Sequence, residues 1–481
     1  MKSTKIEKET LLWSAVSVIG LISVISLFLG INSPDDVHQN AQPADSFSAI
    51  YTHWNNFRYF IVAISQPFLK LGIHYNEVMP IWVITLVAGI TVCCYATLSY
   101  SRLPIYYTPF FIAIVTVHGY FTNIFYYPMS YSVFGFGFLF TGLAVICLRF
   151  KKGFFWTLPA GVLISLALMS YQPAALIILY AASLSYLARW LQGNEDFYDI
   201  FKDVVRSPLA FLCGVIIFLL FVKILSNGSG RAVEPSNFFK NISPYFHTLK
   251  EMLSGINAQN NIYPQIQRFA VLIISVMSVA TVFQSVPRRS FPSSVVAIIS
   301  LACGYLIFPS PLNLFSDLFW PSPRSISASV FFIIGLSFVL INWYSNHLKP
   351  QWLLATFIVF IAVSSVHQMK VMSGAMAQNL VDEFAANQIL SDIAKITTLT
   401  PATKIAVKST WKNGVDINPI KSMDNGISAF STDWSNNNVI WLNSATKYTR
   451  TTPPATACEQ HKEPSFWEIE QIGDTIVVCM K

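Results

Sequence analysis

Uncharged apolar stretches of about 13–19 residues recur along this chain, and they restrict its fold more than any other feature. Leu11–Leu29 and Val271–Phe283 are two of them. A run of roughly 20 apolar residues is what an α-helix needs to cross the hydrocarbon core of a bilayer. Only 11% of the 481 residues are charged and 53% are hydrophobic, where a soluble domain carries about 25% charge. The chain therefore reads as a polytopic membrane protein. Its net charge of +7 points to topology and lipid headgroups, and not to nucleic acid.

Hydropathy predicts about eleven spans: 11–30, 78–99, 105–122, 130–148, 155–170, 173–189, 208–226, 268–286, 292–309, 325–344 and 351–368. The run 11–30 is read as a retained helix, because no small-residue cleavage site follows it. Short connections on one side hold Arg102, Arg149, Lys151, Lys152, Arg288 and Arg289. Longer loops on the other side, about 31–77, 227–267 and 310–324, are poorer in Lys and Arg. The positive-inside rule then puts the N-terminus in the cytoplasm, and an odd number of spans puts the C-terminus outside. The segment 190–207 mixes Glu195, Asp196, Asp199 and Asp203 with Lys202 and Arg206, and is expected to be an interfacial helix.

The expected division is a membrane domain, 1–369, and a small periplasmic α+β domain, 370–481. In the second, Ala375–Ile396 reads as a helix with two offset apolar stripes, Met376–Leu380–Phe384 and Ile389–Ile393–Ile396, reconciled by a bend or break near Asn387. Lys404–Val407, Asn438–Leu442 and Thr475–Met480 read as strands. Cys458 and Cys479 are the two cysteines of this domain, and a pair in an oxidising compartment is expected to form a disulfide. Closing a loop of about 20 residues is worth roughly 3 kcal/mol in the chain-entropy model.

Chemistry concentrates in the first outer loop. Ser33-Pro34-Asp35-Asp36-Val37-His38 follows the first span directly. Adjacent carboxylates can serve as a general base or bind a divalent cation, and their repulsion raises one pKa. The plainer reading is that the segment caps the next helix. Phe47–Leu71, interrupted by Trp54 and Arg58, suits a helix lying in the interface, with Arg58 able to meet a phosphate. Tyr127 and Gln172 fall near outer helix ends, where amides and aromatic faces recognise sugars. Arg231 and Arg324 are outer-face cations that can hold a phosphate. The sequence has no Walker loop, HExxH, CxxC or GxSxG. Few charges lie inside the spans, which counts against an ion-coupled carrier.

Many helices, acids directly after the first span and an exported C-terminal domain together resemble the GT-C superfamily of membrane glycosyltransferases. Within it, Pro34-Asp35-Asp36, the Trp54…Arg58 segment and the Tyr171-Gln172 junction resemble the phage-type serotype-converting O-antigen glucosyltransferases (the Gtr family). The chain departs from related sequences in having His38 and Gln39 after the acids. The resemblance implies an inner-membrane enzyme that transfers glucose from undecaprenyl-phosphate-glucose to a sugar of lipid-linked O-antigen in the periplasm. Asp35 or Asp36, with Asp36 slightly preferred, takes the acceptor proton. His38, Trp54, Arg58, Tyr127, Gln172, Arg231 and Arg324 are the expected substrate contacts. The expected partners are the lipid-linked donor, the O-antigen acceptor and membrane lipids, and a divalent cation is the one cofactor left open. The rival readings are a lipid-linked sugar flippase or other carrier, an O-antigen polymerase or ligase, and a membrane acyltransferase working through His118.

Overall fold

The computed structural model describes residues 2–41, 56–73, 75–150, 153–193, 195–225, 236–254, 264–316, 319, 321–345, 350–409, 427–433, 435–458 and 466–480. Most are helical. The first half holds α1 (Lys2–Phe28), α2 (Pro34–Asn40), α3 (Tyr59–Lys70), α4 (Met79–Tyr100), α5 (Thr108–Thr116) and α6 (Gly119–Phe125). It continues with α7 (Tyr131–Phe150), α8 (Thr157–Leu168), α9 (Gln172–Ala175) and α10 (Ile177–Gln192). The second half holds α11 (Phe197–Leu225), α12 (Asn237–Ser254), α13 (Gln265–Ser285), α14 (Phe291–Leu306), α15 (Ser329–Trp343), α16 (Pro350–Ile396) and α17 (Asn436–Asn443).

Among the described residues, seven helices are long and apolar enough to cross a membrane, or eight if the bent pair α5–α6 counts as one span. Eleven were expected. Each expected span does fall on an apolar helix, but α8, α14 and α15 have only 12, 16 and 15 residues. At 1.5 Å per residue that is about 18–24 Å, short of a ~30 Å hydrocarbon core.

The bend between α5 and α6 is 68°, and it frees backbone groups in an apolar setting. Side chains from neighbouring helices meet them, as a low-dielectric interior requires. Gln267 accepts from Gly119 N at 3.1 Å and donates to Val117 O at 3.0 Å. Gln368 donates to Thr116 O at 3.0 Å. The His118 ring caps α6, with Nδ1 accepting from Tyr120 N at 3.2 Å.

Glycine sets the closest helix crossing. A Cβ on Gly89 of α4 would lie 2.4 Å from the Gly135 carbonyl oxygen of α7, and one on Gly135 would lie 2.6 Å from Leu86 N. Small residues allow backbones to approach this closely. The two helices run parallel, since Arg149 Nε at the end of α7 donates to Ser99 O at the end of α4 at 2.9 Å. At the same end, Glu195 pairs with Arg102 at 2.5 Å and with Arg189 at 2.6 Å, and Arg189 also reaches Asp203 at 3.2 Å.

Several local expectations are corrected. The acidic stretch 190–207 is not a separate interfacial helix. Gly193, with φ +71°, ends α10, and residues 197–207 form the opening turns of α11, where Arg206 and Ser207 are buried. The loop 227–267 contains an amphipathic helix, α12. Within Phe47–Leu71, helix is described only from Tyr59, and 42–55 lie outside the described residues.

The C-terminal unit is a four-stranded sheet of β1 (Lys404–Ser409), β2 (Thr449–Arg450), β3 (Trp467–Ile472) and β4 (Thr475–Met480). Its order is β2-β1-β4-β3, with β1 parallel to both neighbours and β3–β4 an antiparallel hairpin. All of β4 is buried. Ile476, Val478 and Met480 share a core with Ala385, Ala386, Ile389 and Ile393 of α16. The expected break near Asn387 is absent, and the last span and the following helix form one 47-residue helix. The reason is visible in burial: Met376, Leu380 and Phe384 are exposed, so the first stripe has no core to reach. Asn438–Leu442 belongs to α17 and not to a strand, with Val439 and Ile440 buried on one side. Cys458 and Cys479 are joined in a disulfide.

Candidate functional site

The two acids share α2 but meet different surroundings. Ser33-Pro34-Asp35-Asp36 is a capping box with proline at the first helical position. Ser33 N donates to Asp36 Oδ2 at 2.8 Å, and Asp36 N donates to Ser33 Oγ at 3.2 Å. The Ser33 hydroxyl adds a contact to Oδ2 at 2.5 Å, and Met129 N donates to Oδ1 at 3.0 Å. Asp36 is 1% exposed. Removal from water pushes its carboxyl from the ordinary 3.8 up to about 7, against the pull of these hydrogen bonds and with a smaller push from Asp35.

Asp35 is instead 46% exposed, and its Oδ2 lies 3.9 Å from Arg324. Arg324 precedes α15 and is fixed through its main chain. Its N–H donates to Asn123 Oδ1 at 3.0 Å, and its carbonyl oxygen accepts from the Tyr171 hydroxyl. The guanidinium lies over the Tyr127 ring, 3.9 Å from the centroid, a cation–π contact. Next to Tyr171, Gln172 Nε2 donates to Asn56 O at 2.8 Å. That contact holds the loop entering α3, which Arg58 begins. Asp35, Arg324, Tyr127, Tyr171, Gln172 and the Arg58 turn thus form one connected neighbourhood.

Three expected contacts are not placed in this neighbourhood. His38 shares a hydrogen bond of 3.1 Å with Asn438 of the C-terminal unit. Trp54 and Arg231 lie outside the described residues. The role of Ser33 was readable in its spacing from Asp36. Those of Asn123 and the Met129 amide were not, because their partners are 201 and 93 residues away.

Chemically, the arrangement offers an accessible carboxylate beside a guanidinium that lies over an aromatic face and whose main chain is held by two hydrogen bonds. The carboxylates turn to different partners, Asp35 to Arg324 and Asp36 to Ser33 and Met129. Among the described residues, Cys458, Glu470 and Cys479 do converge, but the disulfide occupies both sulfurs.

No curated protein matches the chain, and no solved structure does. A family model described as glucosyl transferase GtrII matches residues 55–342. That stretch contains Arg58, Tyr127, Gln172 and Arg324 and begins after the acidic pair. By a match over more than half its length, the chain belongs to the GtrII glucosyl transferase family.

Proposed function

We propose that the protein transfers a glucosyl residue from undecaprenyl-phosphate-glucose to a sugar hydroxyl of lipid-linked O-antigen on the periplasmic face of the inner membrane. The observation supporting this most directly is the facing pair of half-exposed Asp35 and more deeply buried Arg324, 3.9 Å apart, in a chain of the GtrII family. Asp35 is the base. Substrate entry separates it from Arg324, and it takes the proton of the acceptor hydroxyl as that oxygen attacks the anomeric carbon. The bond from that carbon to the phosphate oxygen breaks, and the charge on the departing polyprenyl phosphate is met by Arg324. Guanidinium suits this role because its fork matches phosphate oxygens. One displacement inverts the anomeric centre. Asp36, buried and fully engaged, holds the helix that presents Asp35.

The same reading includes eleven crossings, a cytoplasmic N-terminus and a periplasmic C-terminal domain. Arg102, Arg149 and Arg189 gather at one end of the helices, and the Asp35–Arg324 pair lies at the other. This supports an outward-facing site.

The test supplies purified protein with either undecaprenyl-phosphate-glucose or a sugar nucleotide and follows the hexose increment per O-antigen repeat by mass spectrometry. Transfer is expected from the lipid donor alone. Asp35→Asn should lower it about 10²–10⁴-fold, the usual contribution of a general base. A properly inserted Asp35→Asn protein that transfers at the normal rate refutes the assignment.

A further inference from the structure

The helix carrying the acids is gripped at both ends by the C-terminal unit. Before α2, Asn379 of α16 makes a two-way contact with the backbone of Asn32. Its Oδ1 accepts from Asn32 N at 2.9 Å, and its Nδ2 donates to Asn32 O at 2.8 Å. After α2, Arg450 of β2 donates from Nη2 to the Ala41 carbonyl oxygen at 2.9 Å. That carbonyl follows the last turn of α2, where a cation also meets the negative end of the helix. Arg450 is itself held: Nη1 donates to Asn438 Oδ1, and its guanidinium lies over the Trp441 ring, 4.7 Å from the centroid. Between the two grips, Val37 is buried in the core of the C-terminal unit with Ala385, Ile389 and Ile440, and His38 meets Asn438.

At about 100° per residue, positions 37 and 41 lie on the side of α2 opposite positions 35 and 36, and position 38 lies at the edge of that side, about 60° from 35. One face of this seven-residue helix therefore belongs to the C-terminal unit, and the other carries the acids to Met129 and Arg324. An isolated helix this short is unstable in water, so its orientation comes from its attachments.

We propose that Asn379 and Arg450 are positioning residues, and that the C-terminal unit sets where Asp35 stands relative to Arg324. They touch no reacting atom. They act by fixing the two ends of α2. The functional part of this inference rests on the reading of Asp35 as the base.

The experiment uses the full-length protein in lipid nanodiscs with Arg450→Met, Asn379→Ala and the conservative Arg450→Lys. Hydrogen exchange by mass spectrometry is read over 31–41, where Val37 N bonds Ser33 O and Ala41 N bonds Val37 O. Exchange in β1 and β4 reports whether the C-terminal unit is folded. Arg450→Met and Asn379→Ala are expected to raise exchange in α2 about tenfold or more while the strands stay protected. The same variants should lower kcat about tenfold with little change in KM for the lipid donor, because Arg324 and its supports are untouched. Arg450→Lys should recover most of both, since it keeps a cationic donor for Ala41 O. Unchanged α2 exchange and unchanged kcat in folded Arg450→Met and Asn379→Ala overturn the proposal. Raised exchange together with a fully active Asp35→Asn protein would instead uphold the grip and reject the base.

Discussion

The Asp36 carboxyl is held in its protonated form to higher pH than an ordinary aspartate. Burial raises its pKa from 3.8 to about 7, because the charged form loses its hydration. The folded protein then binds this proton more tightly than the unfolded chain does. The stability it contributes is complete below about pH 4 and declines as pH rises to about 7, by an amount on the order of a few kcal/mol. Asp36→Asn cannot titrate, so the variant should lack this decline. Thermal unfolding in detergent between pH 4 and 8 measures it: the gap between wild type and variant should shift in favour of the variant as pH rises. Parallel curves would show that Asp36 is not the titrating group. Asp36→Ala should be worse than Asp36→Asn at every pH. It leaves the buried Ser33 and Met129 N–H groups without an acceptor, at about 1–3 kcal/mol each. The sequence already offered both a catalytic and a capping reading of Pro34-Asp35-Asp36; the structure shows Asp36 in the capping contacts, and the base proposed above is its exposed neighbour Asp35. Which acid would be buried and which exposed was not legible, because it depends on Met129 and Arg324, far along the chain.

Hydropathy located the helices well, because a run of apolar residues marks a helix whatever its neighbours do. It was blind to how they end and join. The bend at His118 depends on Gln267 and Gln368 supplying hydrogen bonds from other helices. The continuity of α16 depends on which of two stripes finds a core. Nor could a run of apolar residues reveal which glycine is a contact. Gly135→Ala would place a methyl carbon 2.6 Å from Leu86 N and 2.7 Å from Thr85 C. Both atoms are backbone, so α4 and α7 must part. A loss of about 1–3 kcal/mol is expected, as for overpacking in a dense core. The control is Gly20→Ala in α1, where a Cβ meets nothing within 4 Å. There the removal of a helical glycine should be neutral or stabilising by up to about 1 kcal/mol. Detergent-resistant folded fraction on gel filtration ranks the two. If Gly135→Ala is as well folded as Gly20→Ala, the crossing is looser than the geometry states.

At the scale of the whole molecule, the contacts constrain how often the chain crosses. Because α4 and α7 run parallel and end side by side at Ser99 and Arg149, the segment between them must travel back, and in the eleven-crossing topology proposed above the bent pair α5–α6 is that crossing. The end of α10 reaches the same place, since Arg189 and Arg102 share Glu195, so the chain from Phe150 must return through α8. Trp190 Nε1 donates to Ser293 Oγ at 3.1 Å, which puts the start of α14 at this end. Thr281 near the end of α13 meets the Tyr344 hydroxyl just past α15 at 3.1 Å, so α14 must lead away and α15 back. Seven crossings by length alone would break this alternation. With the N-terminus cytoplasmic, eleven crossings put Gly153 inside and Ser310 outside, whereas seven reverse both. In the proposed topology helix α16 leaves the bilayer: 47 residues extend about 70 Å, more than twice the ~30 Å core, and its far half carries the sheet and the proposed grip on α2. Reporters fused after Gly153 and after Ser310 in a bacterial host decide between the counts. Green fluorescent protein should glow at Gly153, and alkaline phosphatase should be active at Ser310. The reverse pattern would remove the alternation and, with it, the placement of Asp35 on the outer face.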